Sequence, residues 1–311
     1  MKTVRICSQE ERLEHMRKIC HRRSEASAKK WLEISDRSLV DQKHKVMMCW
    51  MSKAGCTAFK ALLLQAAGFT VSEERFGHNL MTVHVKKVLE EHGLRSLSQL
   101  PDNMTRNVLD SYFSFLLIRH PFQRLLSTYR GKVLGADSDF PWFGGEALKL
   151  AHPELFRHNK TLAEMTAPQQ VLGPPTFGQF LDWIAKSATY NDHWSMILEA
   201  CHPCAQNWSA VLKIETMEHD SKLLISHLQP DVNISHIPVR HSHQKKVIHD
   251  HCYMSLPEYA DVKEGTIDYF LHLYKVDMEM FGYGWNKTTN TAYCRIKTEN
   301  GVCCWHLLCG N

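Results

Sequence analysis

What this chain lacks narrows its class before any motif is read. It has no run of 18 apolar residues, so no segment reads as a membrane-spanning helix. It has no low-complexity tract and no internal repeat, which excludes extended disorder and repeat architectures. A strong charge of one sign is missing too: 37 Lys and Arg stand against 33 Asp and Glu, leaving +4. That balance suits an anionic partner without requiring one, and no basic tract points to nucleic acid. The N-terminal stretch MKTVRICSQEERLEHMRKICHRR is charged throughout and lacks the apolar core of a signal peptide. Taken alone, these absences describe a cytosolic protein.

Two abundances point elsewhere. Sequons of the form N-x-S/T begin at Asn103, Asn159, Asn207, Asn233 and Asn286, where chance would give roughly one or two. Eleven cysteines exceed the usual content of a reduced cytosolic enzyme. The expectation is therefore a lumenal or secreted protein whose targeting segment lies outside this sequence. The 20 histidines would make its surface more basic in a mildly acidic compartment.

At 311 residues and 44% hydrophobic content, one globular domain is expected. Residues 8–35 are polar with sparse apolar positions (Leu13, Met16, Ile19, Trp31, Leu32) and read as a surface helix or stem. Val46–Met51, Phe113–Ile118 and Ala210–Ile214 are short apolar strands. Helices are predicted over Thr57–Ala67 with Gly68 as C-cap, near Val83–Gly93, over Phe122–Val133 behind a first-turn Pro121, and over Phe177–Ala188, Met217–Leu228 and Ile267–Phe281. Gly135–Pro175, with Phe140, Trp142 and Phe143, reads as a substrate-side insertion, and Asn233–Cys252 as a His-rich loop. Strands alternating with helices predict an α/β fold, a parallel sheet flanked by helices.

Two segments carry the chemistry. MMCWMSKAGCTAFK (Met47–Lys60) and FLLIRHPFQRLLSTYR (Phe115–Arg130) each read as a buried strand, a turn with a cation and hydroxyls, then a helix. Unpaired N–H groups at a helix start, the macrodipole and a cation together suit a phosphate. In the first, Gly55 permits close backbone approach, Lys53 supplies charge and Thr57 a hydroxyl. The G-x-x-x-x-G-K-[ST] spacing of a nucleotide triphosphatase is absent, and no Mg²⁺-binding Asp is evident, which argues against a P-loop kinase. In the second, Arg119 ends the strand and Ser127 follows about two helical turns later. Arg124, Arg130 and Lys132 add charge, with no acid between Arg119 and Lys132. Two such sites suggest a ligand with phosphates at two separated positions.

This pair resembles the Golgi carbohydrate sulfotransferases of the HNK-1, chondroitin and dermatan 4-O-sulfotransferase group. Their first loop reads near PKxxCTxWK and their second near RxPFxRLxSxYRxK. Lys53, Cys56, Thr57 and Lys60 match the first; Arg119, Pro121, Phe122, Arg124, Leu125, Ser127, Tyr129, Arg130 and Lys132 match the second. DHW (Asp192–Trp194), CHPC (Cys201–Cys204), KIETMEHD (Lys213–Asp220) and LYKVDMEMFGY (Leu273–Tyr283) resemble later blocks in order. The likeness runs from about residue 43 to 285, dividing the chain into a stem segment (1–42), a sulfotransferase domain (43–285) and a Cys-rich tail (286–311).

The resemblance implies a P-loop-like fold that takes 3′-phosphoadenosine 5′-phosphosulfate as co-substrate, with no metal, and moves its sulfo group to a glycan hydroxyl. A chondroitin or dermatan type or an N-glycan is the implied acceptor, acidic or neutral. The implied donor-binding residues are Ser52, Lys53, Ala54, Gly55, Cys56, Thr57 and Ala58 at the 5′-phosphosulfate. At the 3′-phosphate they are Arg119, His120, Pro121, Phe122, Gln123, Arg124, Leu125, Leu126 and Ser127. Lys53 would act on the leaving phosphate, and His78 and His193 are the candidates for the base an acceptor hydroxyl needs. The family setting implies a type II membrane protein of the Golgi lumen, held by an N-terminal anchor absent from this sequence. Ser52 replaces the usual Pro, Ala58 a common Asn and Phe59 a Trp, so a weakened or inactive glycan-binding relative is the alternative. Cys201 and Cys204 suit a disulfide, within the pair or to another Cys, or half of a zinc site. Cys294, Cys303, Cys304 and Cys309 could form further disulfides.

Overall fold

The computed structural model describes residues 5–23, 37–69, 83–134, 141–156, 172–187, 190–228, 253–294, 296–298 and 301–304. In chain order its principal elements are a helix α1 (Gln9–Arg23), strands β1 (Ser38–Asp41) and β2 (Val46–Trp50), and helices α2 (Cys56–Ala66) and α3 (Lys86–Glu91). Strand β3 (Leu94–Ser96), helix α4 (Asp102–Ser111), strand β4 (Phe113–Ile118) and helices α5 (Pro121–Thr128), α6 (Pro141–Ala151), α7 (Phe177–Ser187) and α8 (Ile197–Cys201) follow. Strand β5 (Ala210–Lys213), helix α9 (Met217–Leu228), strand β6 (Tyr253–Ser255), helices α10 (Glu264–Leu273) and α11 (Lys275–Phe281), and strands β7 (Tyr283–Asn286) and β8 (Thr291–Cys294) complete the list.

The three apolar strands pair in parallel, with Met48 opposite Phe115 and Leu117 opposite Leu212. Two strands the sequence pattern hides, β1 and β3, extend the sheet antiparallel, giving the order β3-β1-β2-β4-β5. Helices cover both faces of this α/β sheet, which is why the central strands read as unbroken apolar runs. Alternate side chains serve different cores. Met47, Cys49, Leu116 and Ile118 face one side with α1, α5 and α11; Met48, Phe115, Leu117 and Leu212 face the other with Leu62 and Leu63 of α2 and Leu224 of α9.

Several expectations need correction. Helix α1 is no surface element: Leu13, Met16 and Ile19 are buried in the core. Its Arg12, 3% exposed, donates to Val211 O at 2.8 Å, Asp220 Oδ2 at 2.6 Å and Thr216 Oγ1 at 3.2 Å. Sparse apolar spacing suggested a stem because a buried, fully paired arginine counts as polar in any pattern. Phe143, read as part of an insertion, packs on Trp183 and Trp194 in the main core. The predicted helix Ile267–Phe281 breaks at Tyr274, whose hydroxyl donates to Trp194 O at 2.6 Å. Beyond residue 286 the chain continues into a second sheet, where β8 pairs with both β6 and β7.

The CHPC cysteines do not pair with each other. Cys201 bonds Cys49 on β2 and Cys204 bonds Cys20 on α1. Both links span long stretches, 152 and 184 residues, so each removes much freedom from the unfolded chain. No helix among the described residues is long and apolar enough to cross a membrane.

Because Arg12 and Asp220 are buried partners, losing one leaves an uncompensated charge. Arg12→Met is expected to lower unfolding free energy by about 3–5 kcal/mol, read from urea denaturation. A loss below about 1 kcal/mol would show that α1 is peripheral to the fold.

Candidate functional site

The first loop leaves β2 at Trp50 and turns through Ser52–Gly55 into α2. Two residues there have left-handed backbone, Lys53 (φ 66°) and Gly55 (φ 85°). At Gly55 the requirement is double, since a Cβ would also stand 2.4 Å from Ile214 Cδ1. Lys53 has no such excuse and carries strain of about 1 kcal/mol or more. Helix α2 begins with no side-chain cap and no acid in its first turn. Its N-terminal amides and dipole are uncompensated, as an anion site requires.

The second loop is built differently from expectation. The start of α5 is filled by the protein itself: His120 Nδ1 accepts from Phe122 N at 3.2 Å, and Glu215 Oε1 accepts from His120 N at 2.7 Å. Pro121 has no N–H to offer. The two loops therefore look alike in sequence, yet only the first presents its helix start. What the second contributes is charge.

Arg119, half-buried at the end of β4, donates from Nη1 to Lys53 O at 3.1 Å and from Nε to Gln123 Oε1 at 3.3 Å. Arg124, 1% exposed, donates to Ser52 O at 3.2 Å and to Ser195 O at 3.1 Å. Through these two donors it clamps backbone, while its buried Nη2 has no hydrogen-bond partner among the described residues. Phe122, Leu125 and Leu126 are likewise core side chains, and His120 and Pro121 are buried. Ser127 is half-buried in the last turn of α5.

Around Lys53 the charges gather. A Cβ on Gly131 would come within 2.6 Å of Lys53 Nζ, so the glycine makes room for the ammonium. Burial, then Lys132 and Arg119, push Lys53 down to about 8. Its strongest charged neighbours are cations, and a bound anion would relieve all of them at once. Ser52, Ala58 and Thr57 are half-buried beside it, while Ala54 and Cys56 are buried.

His193, half-buried in the DHW segment, reaches the same cluster. Burial, then Lys132, Lys53, Arg124 and Arg37, push it down to about 4. Asn191 Oδ1 accepts both its backbone N–H at 2.9 Å and Nδ1–H at 2.8 Å. That leaves the neutral ring with its lone pair on Nε2, the arrangement a proton acceptor needs. The single O–H of Thr128 is shared between Arg124 O at 2.9 Å and His193 O at 3.2 Å, so α5 touches this segment here as well as through Arg124 on Ser195 O. His78 lies outside the described residues.

Sequence reasoning missed His84. Its Nε2 is 2.9 Å from Thr57 Oγ1 and its Nδ1 is 3.4 Å from Lys60 Nζ. Burial, then Lys60 and Lys132, push it down to about 4. Nothing in the pattern separates this histidine from the others; only contact with Thr57 does. A separate cavity of about 550 Å³ beside Arg106, Tyr112, Gln206 and Ser209 borders neither loop. Among the described residues no group of three or more His, Cys, Asp or Glu is arranged to hold a metal.

A sequence model of the Sulfotransferase family matches residues 36–284. Carbohydrate sulfotransferase 14 of Danio rerio is 27% identical over 263 residues, covering 83% of this chain and 64% of that protein. Human carbohydrate sulfotransferase 10 is 28% identical over 236 residues, 73% of this chain and 63% of that protein. Human carbohydrate sulfotransferase 8 is 26% identical over 282 residues, 89% and 62% respectively. The chain thus spans about six-tenths of the length of these relatives. No solved structure matches.

The histidines set a pH dependence of stability. Burial pushes His120 down to about 3, with His84 and His193 at about 4, all below the unfolded value of about 6.5. Their contribution is fully present above pH of about 6.5 and is lost as pH falls through the folded values. Asp277, raised by burial to about 6, runs the other way, its contribution being lost as pH rises through that value. His120→Asn keeps a cap acceptor but does not titrate there. Urea titrations from pH 4 to 7 are expected to give a shallower rise of stability with pH for His120→Asn than for wild type. Equal slopes would contradict the buried neutral imidazole.

Proposed function

The chain belongs to the sulfotransferase family, and on that premise we propose that it transfers a sulfo group from 3′-phosphoadenosine 5′-phosphosulfate to a glycan hydroxyl. The observation that carries this reading is the joining of the two loops. Lys53, Thr57 and the open start of α2 lie at the end of β2, and Arg119 at the end of its parallel neighbour β4 is tied to Lys53 O. Cations crowd Lys53, so the residues present fit a ligand with more than one anionic group.

When bound, the nucleotide supplies an activated sulfo group. The residues around it have electrostatic and positioning work to do. The α2 amides and the Thr57 hydroxyl bind the 5′-phosphate side, and Lys53 neutralises charge that develops on the leaving oxygen. Arg119 and Ser127 bind the 3′-phosphate. Transfer of this kind is mostly positioning and charge stabilisation.

His193 accepts the acceptor's proton at Nε2. A pKa of about 4 makes a weak base, but three of the cations that depress it, Lys132, Lys53 and Arg124, belong to or adjoin the anion site. Bound anion neutralises them and raises the imidazole towards working pH. His84 is less suited, because Lys60 and Thr57 engage both its nitrogens.

The relatives named carbohydrate sulfotransferases support a glycan acceptor. A chondroitin or dermatan chain or an N-glycan is the proposed acceptor; Lys132 lends positive charge to the approach, whereas Arg130 is ion-paired with Glu258. Two long-range disulfides support an oxidising compartment, and the Golgi lumen is the proposed setting. Ser52 in place of the usual Pro leaves a second reading, a glycan-binding relative with weak turnover. The loop's closure by Arg124 on Ser52 O favours the active enzyme.

Labelled phosphoadenosine phosphosulfate offered with a panel of glycosaminoglycans and N-glycans is expected to label a glycan and release adenosine 3′,5′-bisphosphate in equal amount. Lys53→Ala is expected to lower kcat/KM by about 10²–10³; transfer at the wild-type rate by that variant would overturn the assignment of the first loop. Bisphosphate binding without transfer would establish the weaker reading. His193→Ala is expected to lower kcat by about 10² or more with bisphosphate affinity, measured by calorimetry, changed less than about 2-fold.

A further inference from the structure

Lys60 is a cation placed where no carboxylate pairs with it among the described residues. It follows Thr57 by three positions on α2, so the two side chains share a helix face. It is only 5% exposed. Its Nζ lies 3.7 Å from the centroid of the Trp50 ring, a cation–π contact that steadies a desolvated ammonium. Its polar contact is His84 Nδ1 at 3.4 Å, and His84 Nε2 is 2.9 Å from Thr57 Oγ1.

The proton inventory of this row is determined by its first member. An ammonium can only donate, so His84 Nδ1 must accept. The neutral ring then carries its proton on Nε2 and donates it to Thr57 Oγ1. With a lone pair so occupied, the threonine's own O–H is directed to a different acceptor. From these contacts we propose that Lys60 and His84 form a positioning relay that holds the Thr57 hydroxyl as a hydrogen-bond donor towards a phosphate at the first loop. The relay rests on the donor-site reading above and adds to it residues outside the loop itself.

The surroundings keep the relay in one state. Val83, 3% exposed, anchors the histidine's segment in the core shared with α2. Burial and the neighbouring Lys60 and Lys132 keep the imidazole neutral well below neutral pH, so its donor and acceptor ends do not exchange roles. His84 is thereby a positioning residue acting through Thr57.

The test is a double-mutant cycle with adenosine 3′,5′-bisphosphate as the calorimetric probe and transfer kinetics beside it. Thr57→Ala and His84→Ala are each expected to weaken bisphosphate binding by about 5- to 10-fold, and the double variant to be no weaker than Thr57→Ala alone. His84→Gln places an amide oxygen towards Lys60 and an amide N–H towards Thr57, and is expected to restore affinity to within about 3-fold of wild type. The loss in His84→Ala should appear in the donor KM more than in kcat, with thermal unfolding of each variant confirming that it folds. Additive losses would overturn the relay. So would a His84→Gln enzyme as inactive as His84→Ala with unchanged bisphosphate affinity, which would make His84 a proton acceptor. If Thr57→Ala weakens binding and His84→Ala does not, the relay alone fails. A wild-type protein without bisphosphate affinity would remove the donor-site reading and the relay together.

Discussion

Two guanidinium groups of the second motif hold the backbone of the first. Arg119 takes Lys53 O and Arg124 takes Ser52 O, binding the turn after β2 to the strand end and helix after β4. Hydrogen bonds from a charged donor contribute about 1.5–3 kcal/mol each, enough to offset the strain of a lysine with φ of 66°. That backbone conformation places Lys53 Nζ against Gly131, beyond the end of α5. Without the clamp, the loop would have no reason to hold its lysine among other cations. The charges that repel one another in the site are brought together by bonds made outside it.

The same helix organises the rest. Arg124 also grips Ser195 O, and Thr128 shares its hydroxyl proton between Arg124 O and His193 O, so α5 positions the segment that offers the proposed base. Behind that segment, Cys201 is bonded to Cys49 of β2, and Asp277 accepts the N–H groups of Ile197 and Leu198 at 2.6 and 2.9 Å. Residues from three distant parts of the chain thus meet over one pair of parallel strands. Loss of rigidity in any of these supports would act on the base and the lysine together.

The strands were legible because burial on both faces leaves a continuous apolar run, and the parallel α/β arrangement followed from their alternation with helices. The first loop was legible as a strand-turn-helix, since Gly55 supplies the left-handed turn that leads into α2 at Cys56, and it gained meaning only beside the second loop. The backbone bonds of Arg124 were not legible because a motif records identity and not direction: a guanidinium that matches a ligand-binding pattern here also holds Ser52 O and Ser195 O. The edge strands β1 and β3 were hidden by their short length and mixed polarity. Helix α1 was read as a helix, but its burial was hidden by Arg12, whose partners lie 199 to 208 residues away in sequence. His84 could not be chosen among so many histidines, since its distinction is a contact with Thr57, 27 positions away in sequence, and not a spacing.

The difference between the loops bears on what each can bind. Helix α2 offers amides, a hydroxyl and one lysine, which match a phosphate carrying little more than one negative charge. The second loop offers a guanidinium, while its helix start is already closed by His120 and by Glu215. A planar guanidinium engages a doubly charged terminal phosphate through paired hydrogen bonds more strongly than single amides would. Glu215, whose oxygens accept from His120 N at 2.7 Å and Tyr283 Oη at 3.2 Å, is also the strongest opposing charge on Arg119 and offsets part of it until a phosphate binds. On the proposed reading, a bridging 5′-phosphate belongs at the first loop and a terminal 3′-phosphate at the second. The order follows from how each turn spends its own hydrogen-bond donors, a distinction that two similar strand-turn-helix patterns conceal.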